Sequence, residues 1–332
     1  MLGDALQQRG DPQGELIALQ LSLEGLPPAA LPVRRRVIER RIAAVLDRHH
    51  DALYGALAPH VMRTSLPDVL YPALGVTRWR SGFADAIWLR TTCRSQFATT
   101  SRMLGVQPEV ALADVYRAMR SRPIASFVRD LVLGMGDHAR AVAELTTDPP
   151  PTLRSLTIGD WSHYSSMLEN TSLPNTGVDL TSAKQLETLR FEYATPFVPF
   201  GSPTLRCLTL YQPVVAAAEF AGARLPMLEQ LTIGGFRIDR GLFDRYPTLR
   251  EANLNGTVDD GWLERFLRSS NVHRVRTLRL GSDLRDDDLA ALARNLDRVT
   301  RLELLELRGR FSPQVMVAAE RGLPPNVTII PV

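Results

Sequence analysis

The segments TLRCLTLY (204–211), MLEQLTIG (227–234) and VRTLRLG (275–281) place apolar residues at the same alternating positions. This pattern, L-x-x-L-x-L with substitutions, recurs between residues 127 and 309. Alternation of apolar and polar side chains is typical of a strand that buries one face. Each predicted strand is aligned on its middle apolar residue: Leu131, Leu156, Leu189, Leu208, Leu231, Ala252, Leu278 and Leu305.

The spacing of these strands predicts the fold. Subtracting consecutive residue numbers gives steps of 25, 33, 19, 23, 21, 26 and 27 residues. Most of these steps fall within the range of about 20–29 residues that is typical of a leucine-rich repeat. The chain must cross the opposite side of the structure before the next strand can stack in parallel. We therefore predict an α/β leucine-rich-repeat solenoid, with a curved parallel sheet on the concave side and helices on the convex side.

The segments between the strands complete this prediction. Helices are expected at 108–122, 214–225, 259–269 and 286–298, the last two opening with acidic residues that favour a helix N-terminus. Further strands are expected at 80–90 and at 326–332, the latter with Thr328 aligned to Leu305. The longest step contains 161–180, which is too polar and turn-rich for a plain helix. We interpret it as an inserted loop.

Residues 1–65 lack the repeated pattern and predict two helices, GELIALQLSLEG (14–25) and VRRRVIERRIAAVLDRHH (33–50). An open solenoid exposes the apolar edge of its first repeat, so a terminal unit is required to cover it. We predict a helical cap at 1–65 and an irregular leucine-rich-repeat solenoid at 66–332.

Two stretches, LQQRGDPQGELIALQLSLE (6–24) and WRSGFADAIWL (79–89), resemble a known family. It is the repeat-companion domain found before leucine-rich repeats in myxobacterial and planctomycete proteins. The matching residues are Arg9-Gly10-Asp11-Pro12, Gly14-Glu15, Ile17, Gln20 and Gly82-Phe83. The resemblance implies a bacterial leucine-rich-repeat protein and an architecture, but no activity. Family members have a further helix before this point, which we expect to be either missing or shortened here.

Composition excludes several classes of protein. The 39 basic and 36 acidic residues leave a net charge of only +3, which does not favour a nucleic-acid partner. Cys93 and Cys207 are far apart and lack metal-ligand spacing, so we expect no metal site and no cofactor. There is no apolar run of about 18 residues and no secretory signal pattern, so we expect no membrane span and a cytoplasmic location.

The residues that alternate with the buried positions would line the concave wall, which is the usual contact surface of such repeats. Small hydroxyl residues dominate the middle of this wall, and such residues could simply be solvated. Tryptophan, tyrosine and arginine are enriched in binding hot spots. We therefore choose Trp88, Arg190, Tyr211 and Arg279 as the candidate partner-binding residues.

The arginine-rich segment offers an alternative surface. Arg34-Arg35-Arg36 with Arg40, Arg41 and Arg48 could approach a phosphate backbone or an anionic lipid. Glu39 and Asp47 interrupt the run, and apolar residues such as Ile38 and Ile42 give it a core-facing stripe. We interpret it first as a solvated helix face.

The sequence carries no recognisable catalytic motif, and none of the six histidines belongs to one. We therefore predict a non-catalytic protein-protein interaction module or adaptor. It would bind a protein partner of unknown identity through the concave face. Nucleic-acid or anionic-surface binding through the arginines is the alternative. An enzyme of unrecognised type is a third, weaker hypothesis.

Overall fold

The structure, a computed structural model, describes residues 2–27, 32–61, 74–89, 111–134, 138–159, 178–192, 200–211, 223–238, 242–258, 261–299 and 302–331. The chain divides into two compact units, Met1–Thr171 and Ser172–Val332. Each is a mixed α/β unit in which helices accompany a mostly parallel sheet, as in a solenoid-like fold. The predicted domain boundary at 65/66 lies within the first unit and stays a prediction.

The first unit begins with helices and continues into a sheet. Its elements are α1 (Leu2–Gln8), α2 (Pro12–Glu24), α3 (Pro32–Arg48), α4 (His50–Tyr54), a 3-10 turn (Gly55–His60), β1 (Leu74–Arg80), β2 (Phe83–Leu89), α5 (Leu112–Arg120), β3 (Asp130–Leu133), α6 (His138–Thr147) and β4 (Ser155–Ile158). β1 and β2 pair antiparallel, whereas β2, β3 and β4 are parallel.

The turn between α1 and α2 follows from its sequence. Gly10 has a φ of +70°, which suits glycine because it has no Cβ. The carboxylate of Asp11 caps α2 by accepting from the backbone N–H of Gln13 at 2.9 Å, and Pro12 opens the helix. Helices α1 and α2 then approach closely, because a Cβ on Gly14 would lie 2.5 Å from the backbone nitrogen of Gln7.

Helix α2 is anchored to the β1–β2 turn by Gln20. The buried Gln20 side chain accepts a hydrogen bond at 2.8 Å from the backbone N–H of Gly82. Gly82 has a φ of +84°, and a Cβ there would lie 2.2 Å from Cγ1 of Ile17. Only glycine therefore satisfies both the conformation and the close contact.

The strand predicted at 80–90 is the second strand of a hairpin. This strand, β2, falls inside the predicted range, but β1 precedes it and was not predicted. The aligned residues Leu131 and Leu156 lie opposite each other as predicted, and Ile87 of β2 lies opposite Leu131. Helix α5 confirms the helix predicted at 108–122.

The second unit contains nine strands, five α-helices and a 3-10 turn (Ser270–His273) among its described residues. They are β5 (Val178–Asp179), β6 (Thr188–Glu192), β7 (Phe200–Gly201), β8 (Cys207–Tyr211), β9 (Gln230–Ile238), α7 (Leu242–Arg245), β10 (Glu251–Val258), α8 (Trp262–Arg268), β11 (Thr277–Leu284), α9 (Asp286–Arg294), α10 (Leu296–Val299), β12 (Leu304–Gly309), α11 (Pro313–Gly322) and β13 (Val327–Pro331). Seven strands form one parallel sheet in the order β6-β8-β9-β10-β11-β12-β13, and β5 pairs with β7.

The register of this sheet confirms the sequence alignment over five strand pairs. The aligned residues from Leu189 to Leu305 lie directly opposite one another and are buried. β13 differs, because Leu305 pairs with Val327 and the predicted residue, Thr328, is exposed. In NVTIIPV both alternating sets contain apolar residues, so the pattern does not decide which set is buried.

The connections between strands follow the prediction where they are described. α8 confirms the helix at 259–269. Its Trp262 and Phe266 rings stack on each other with centroids 5.7 Å apart, and the Phe266 ring also packs against Phe243 of α7 at 4.8 Å. The helix predicted at 286–298 is broken at Asn295 into α9 and α10. Asp288 accepts from the backbone N–H of Arg285 at 3.0 Å, as expected for an acidic helix start. Most of the predicted helix 214–225 and of the predicted loop 161–180 lies outside the described residues.

Candidate interaction surface

One face of the seven-strand sheet is open. Its side chains are half-buried or exposed, whereas the residues that alternate with them on β6 and on β8 to β12 are buried. The open face is defined by three register rows: Thr188, Cys207, Gln230, Glu251, Thr277 and Leu304; Arg190, Thr209, Thr232, Asn253, Arg279, Glu306 and Thr328; and Glu192, Tyr211, Gly234 and Asn255, with Arg308 and Ile330 paired beyond them on β12 and β13.

Arg190 and Tyr211 are in contact at one end of the open face. The guanidinium carbon of Arg190 lies 5.3 Å from the centre of the Tyr211 ring, a cation–π distance. Arg190 Nε also lies 2.5 Å from Glu192 Oε1. The ring extends over Gly234 on the next strand, because a Cβ there would be 2.8 Å from Tyr211 Cδ1. The tyrosine is therefore fixed in place on the sheet surface before any partner binds.

Arg279 belongs to a second charged group. Its Nε lies 3.6 Å from Oε2 of Glu306, and Arg308 holds the other oxygen of Glu306 at 2.8 Å. The Glu306 side chain is only 16% exposed, whereas those of Arg279 and Arg308 are 45% and 55% exposed. The carboxylate is shielded while both guanidinium groups face solvent, so this group presents positive charge.

Arg190 and Arg279, one from each group, lie in the same row but do not touch. Four strand spacings separate Arg190 on β6 from Arg279 on β11, which corresponds to about 19 Å. Thr209, Thr232 and Asn253 occupy the row between them. The structure therefore brings Arg190 and Tyr211 together, and it places Arg279 apart on the same face. Their role as partner contacts stays a prediction.

Cys207 lies in the first row as an ordinary thiol. It donates to Oε1 of Gln230 at 3.1 Å, and Gln230 donates in turn to Glu251 at 3.1 Å. Burial, together with the negative charges of Glu229 and Glu251, raises the pKa of Cys207 above its usual value. The side chain therefore stays protonated near neutral pH, and a protonated thiol is a poor nucleophile.

Trp88 belongs to the first unit. It lies on β2 opposite Gly75 of β1 and Val132 of β3, and it is half-buried. Its indole covers Gly75, since a Cβ there would lie 3.4 Å from Trp88 Cε3. Trp88 thus packs against the sheet as well as facing outward, and its role as a contact residue stays a prediction.

A charge network in the first unit was missed by the sequence reasoning. Arg78 Nε donates to Oδ2 of the buried Asp85 at 2.5 Å, and another of its nitrogens contacts Asp130. Arg129 Nε lies 3.7 Å from Asp85 Oδ1. The hydrogen bonds from Arg78 to Asp85 and Asp130 raise the pKa of Arg78. Asp85 occupies an inward position of FADAIWL, and a carboxylate buried there requires a cationic partner. This acidic residue among apolar ones was the sequence feature that could have predicted the network.

A cleft of about 510 Å³ lies at the amino-terminal edge of β10 and β11. Glu229 and Glu303 in its lining are ion-paired, to Arg206 at 3.2 Å and to Arg276 at 3.7 Å. Within the described ranges, no group of three or more His, Cys, Asp or Glu is arranged to hold a metal ion. No helix in those ranges has the length and apolar character needed to cross a membrane.

Comparisons with known proteins identify no family. No family model matches the chain, and no curated protein matches it. Among solved structures, a crystal structure of a Bacteroides fragilis protein is similar at 18% sequence identity and a TM-score of 0.49, and the match covers 73% of each chain.

Proposed function

We propose that this chain is a non-catalytic interaction module of the leucine-rich-repeat type, which binds a protein partner through the open face of its second unit. The observation that carries the proposal is the contrast between the two faces of the seven-strand sheet. On β6 and on β8 to β12 one face is buried, and the other presents mainly polar, aromatic and cationic side chains at a fixed spacing.

Preorganisation supports a binding role for this face. Neighbouring strands order the backbone of every residue on it, and Arg190 already contacts both Tyr211 and Glu192. Little conformational entropy is then lost on association, which favours affinity. Arginine and tyrosine are also residue types that dominate binding energy at protein interfaces.

The charge distribution indicates the chemistry of the partner. Solvent-facing guanidinium groups occur at Arg190 and at the Arg279–Arg308 group, with the neutral Thr209, Thr232 and Asn253 between them. A complementary protein would present carboxylates about 19 Å apart, to match four strand spacings. Hydroxyl and amide groups of the central row would donate and accept hydrogen bonds between these two points.

The helices at the start of the chain fit the same proposal. In it, α1 to α4 form an N-terminal cap like that of the repeat-companion family. This part of the proposal is supported by the contact of Gln20 and Ile17 with Gly82. All three residues are among those that carry the resemblance to the repeat-companion family. The cytoplasmic location stays a prediction.

The test compares affinity purifications from the native organism. The variant Arg190→Ala, Tyr211→Ala, Arg279→Ala should lose a partner that the wild-type protein retains. A matched control replaces Arg265, Arg268 and Arg294 on helices α8 and α9 by alanine, and it should retain that partner. Trp88→Ala is assayed separately because Trp88 lies in the other unit. Retention of the partner by the open-face variant would contradict the proposal.

The other function classes give different results in the same experiment. A nucleic-acid ligand would be recovered in place of a protein, and its affinity would fall steeply as the salt concentration rises. An enzyme would require reactive groups gathered in one pocket. The carboxylates in the cleft beside β10 and β11 are ion-paired, which does not favour that hypothesis.

A further inference from the structure

The amino-terminal half of α3 is an exposed, strongly basic helix. From Pro32 to Arg41, every residue except the half-buried Ile38 is exposed. Five arginines and one carboxylate, Glu39, occur in this stretch. The core contact of the helix comes later, at the buried Val45. This half of α3 therefore contributes little to the core of the first unit.

The outward side of this segment has an aliphatic centre. Val33 and Val37 are 68% and 50% exposed. At about 100° per residue they lie about 40° apart on the helix surface, on the side opposite Ile38 and Ile42. Arg36 and Arg40 flank them on one side, and Arg34 and Arg41 flank them on the other. The result is an apolar stripe between two rows of arginine.

The charge of these two rows is not neutralised within the described chain. Glu39 pairs with Arg35 at 3.1 Å, and both lie away from the valine stripe. Arg34, Arg36, Arg40 and Arg41 have no carboxylate at ion-pair distance among the described residues. The first turn of α3 contains no acidic residue, although a helix N-terminus favours negative charge. The helix dipole and the four arginines therefore both attract an anionic surface.

We propose that this half of α3 docks on an anionic lipid bilayer surface. The arginines would contact lipid headgroup phosphates and carboxylates, while Val33 and Val37 enter the boundary between headgroups and acyl chains. An apolar stripe bordered by cationic residues is the arrangement that lies in such an interface. A nucleic acid would use the arginines but would gain nothing from exposed valines, so the observations favour the bilayer.

Vesicle co-sedimentation of the full chain tests this proposal. Wild-type protein should bind phosphatidylcholine vesicles that contain about one third phosphatidylserine, and should not bind phosphatidylcholine alone. Arg36→Gln, Arg40→Gln should weaken binding about 30-fold, since each arginine near the surface contributes about fivefold in affinity. Val33→Ser, Val37→Ser should weaken it roughly tenfold through the lost apolar contact. Arg36→Lys, Arg40→Lys should bind like wild type.

The control variant Arg80→Gln, Arg224→Gln removes the same charge from other exposed positions and should bind like wild type. Equal circular dichroism and thermal unfolding of all variants verify folding, which these exposed substitutions should not disturb. The proposal is overturned if anionic vesicles do not bind, or if the valine variant binds them as wild type does. A duplex oligonucleotide serves as a parallel probe. Tighter binding to it than to the vesicles, insensitive to the valine changes, would instead assign the helix to nucleic acid.

Discussion

At the residue scale, the contact between helix α2 and the β1–β2 turn explains three of the residues that carry the family resemblance. Gln20 holds the backbone N–H of Gly82, and Ile17 occupies the space that a side chain at Gly82 would need. These residues are far apart in sequence, so their contact could not be deduced from the pattern of either segment alone. The contact is structural and carries no implication of activity.

Replacing Gly82 by alanine should destabilise the first unit strongly. An L-residue in the left-handed region costs about 1–2 kcal/mol, and the clash with Ile17 should bring the total to about 3 kcal/mol. Gly10→Ala is the matched control, since Gly10 has a similar φ but nothing within 4 Å of an added Cβ. It should cost only about 1 kcal/mol. Chemical denaturation measures both, and equal losses for the two variants would contradict the packing at Gly82.

At the element scale, the alternation of apolar residues predicted the parallel strands because burial on one face imposes it directly. It aligned Leu189 to Leu305 correctly across five strand pairs. It failed for β1, LGVTRWR, where the strand lies at the sheet edge and only its first residue is buried. It failed by one residue at β13, where apolar residues are adjacent. The signal weakens wherever burial is not confined to one face.

Two neighbouring residues on β11 test the assignment of the faces. Leu278 is fully buried and Arg279 is exposed. Leu278→Ala should lower the free energy of unfolding by about 3 kcal/mol, as expected for a cavity in a packed core. Arg279→Ala should change it by less than about 0.5 kcal/mol, because the Arg279 side chain is 45% exposed and Arg308 still pairs with Glu306. Comparable effects of the two substitutions on urea unfolding would show that the strand register is different.

At the scale of the whole molecule, sequence reasoning placed Arg190, Tyr211 and Arg279 on one face but could not predict their contacts. The alternation of side chains along a strand determines which face of the sheet each side chain occupies. It does not determine that Arg190 turns toward both Glu192 and Tyr211, or that Glu306 lies between Arg279 and Arg308. Those pairings depend on side-chain rotamers and on neighbouring strands. The buried Asp85 network depends in addition on β1, which the sequence pattern did not predict.

The central claim is that the open face of the second unit binds a protein partner, and site-specific photo-crosslinking in native cells tests it most directly. A photoreactive residue is placed at Thr232, in the middle of the central row, and a control at the exposed Ala290 of α9. We predict a discrete protein adduct from Thr232 that disappears with Arg190→Ala, Arg279→Ala, and no such adduct from Ala290. An adduct from Ala290 alone, or one from Thr232 that survives the arginine substitutions, would contradict the claim.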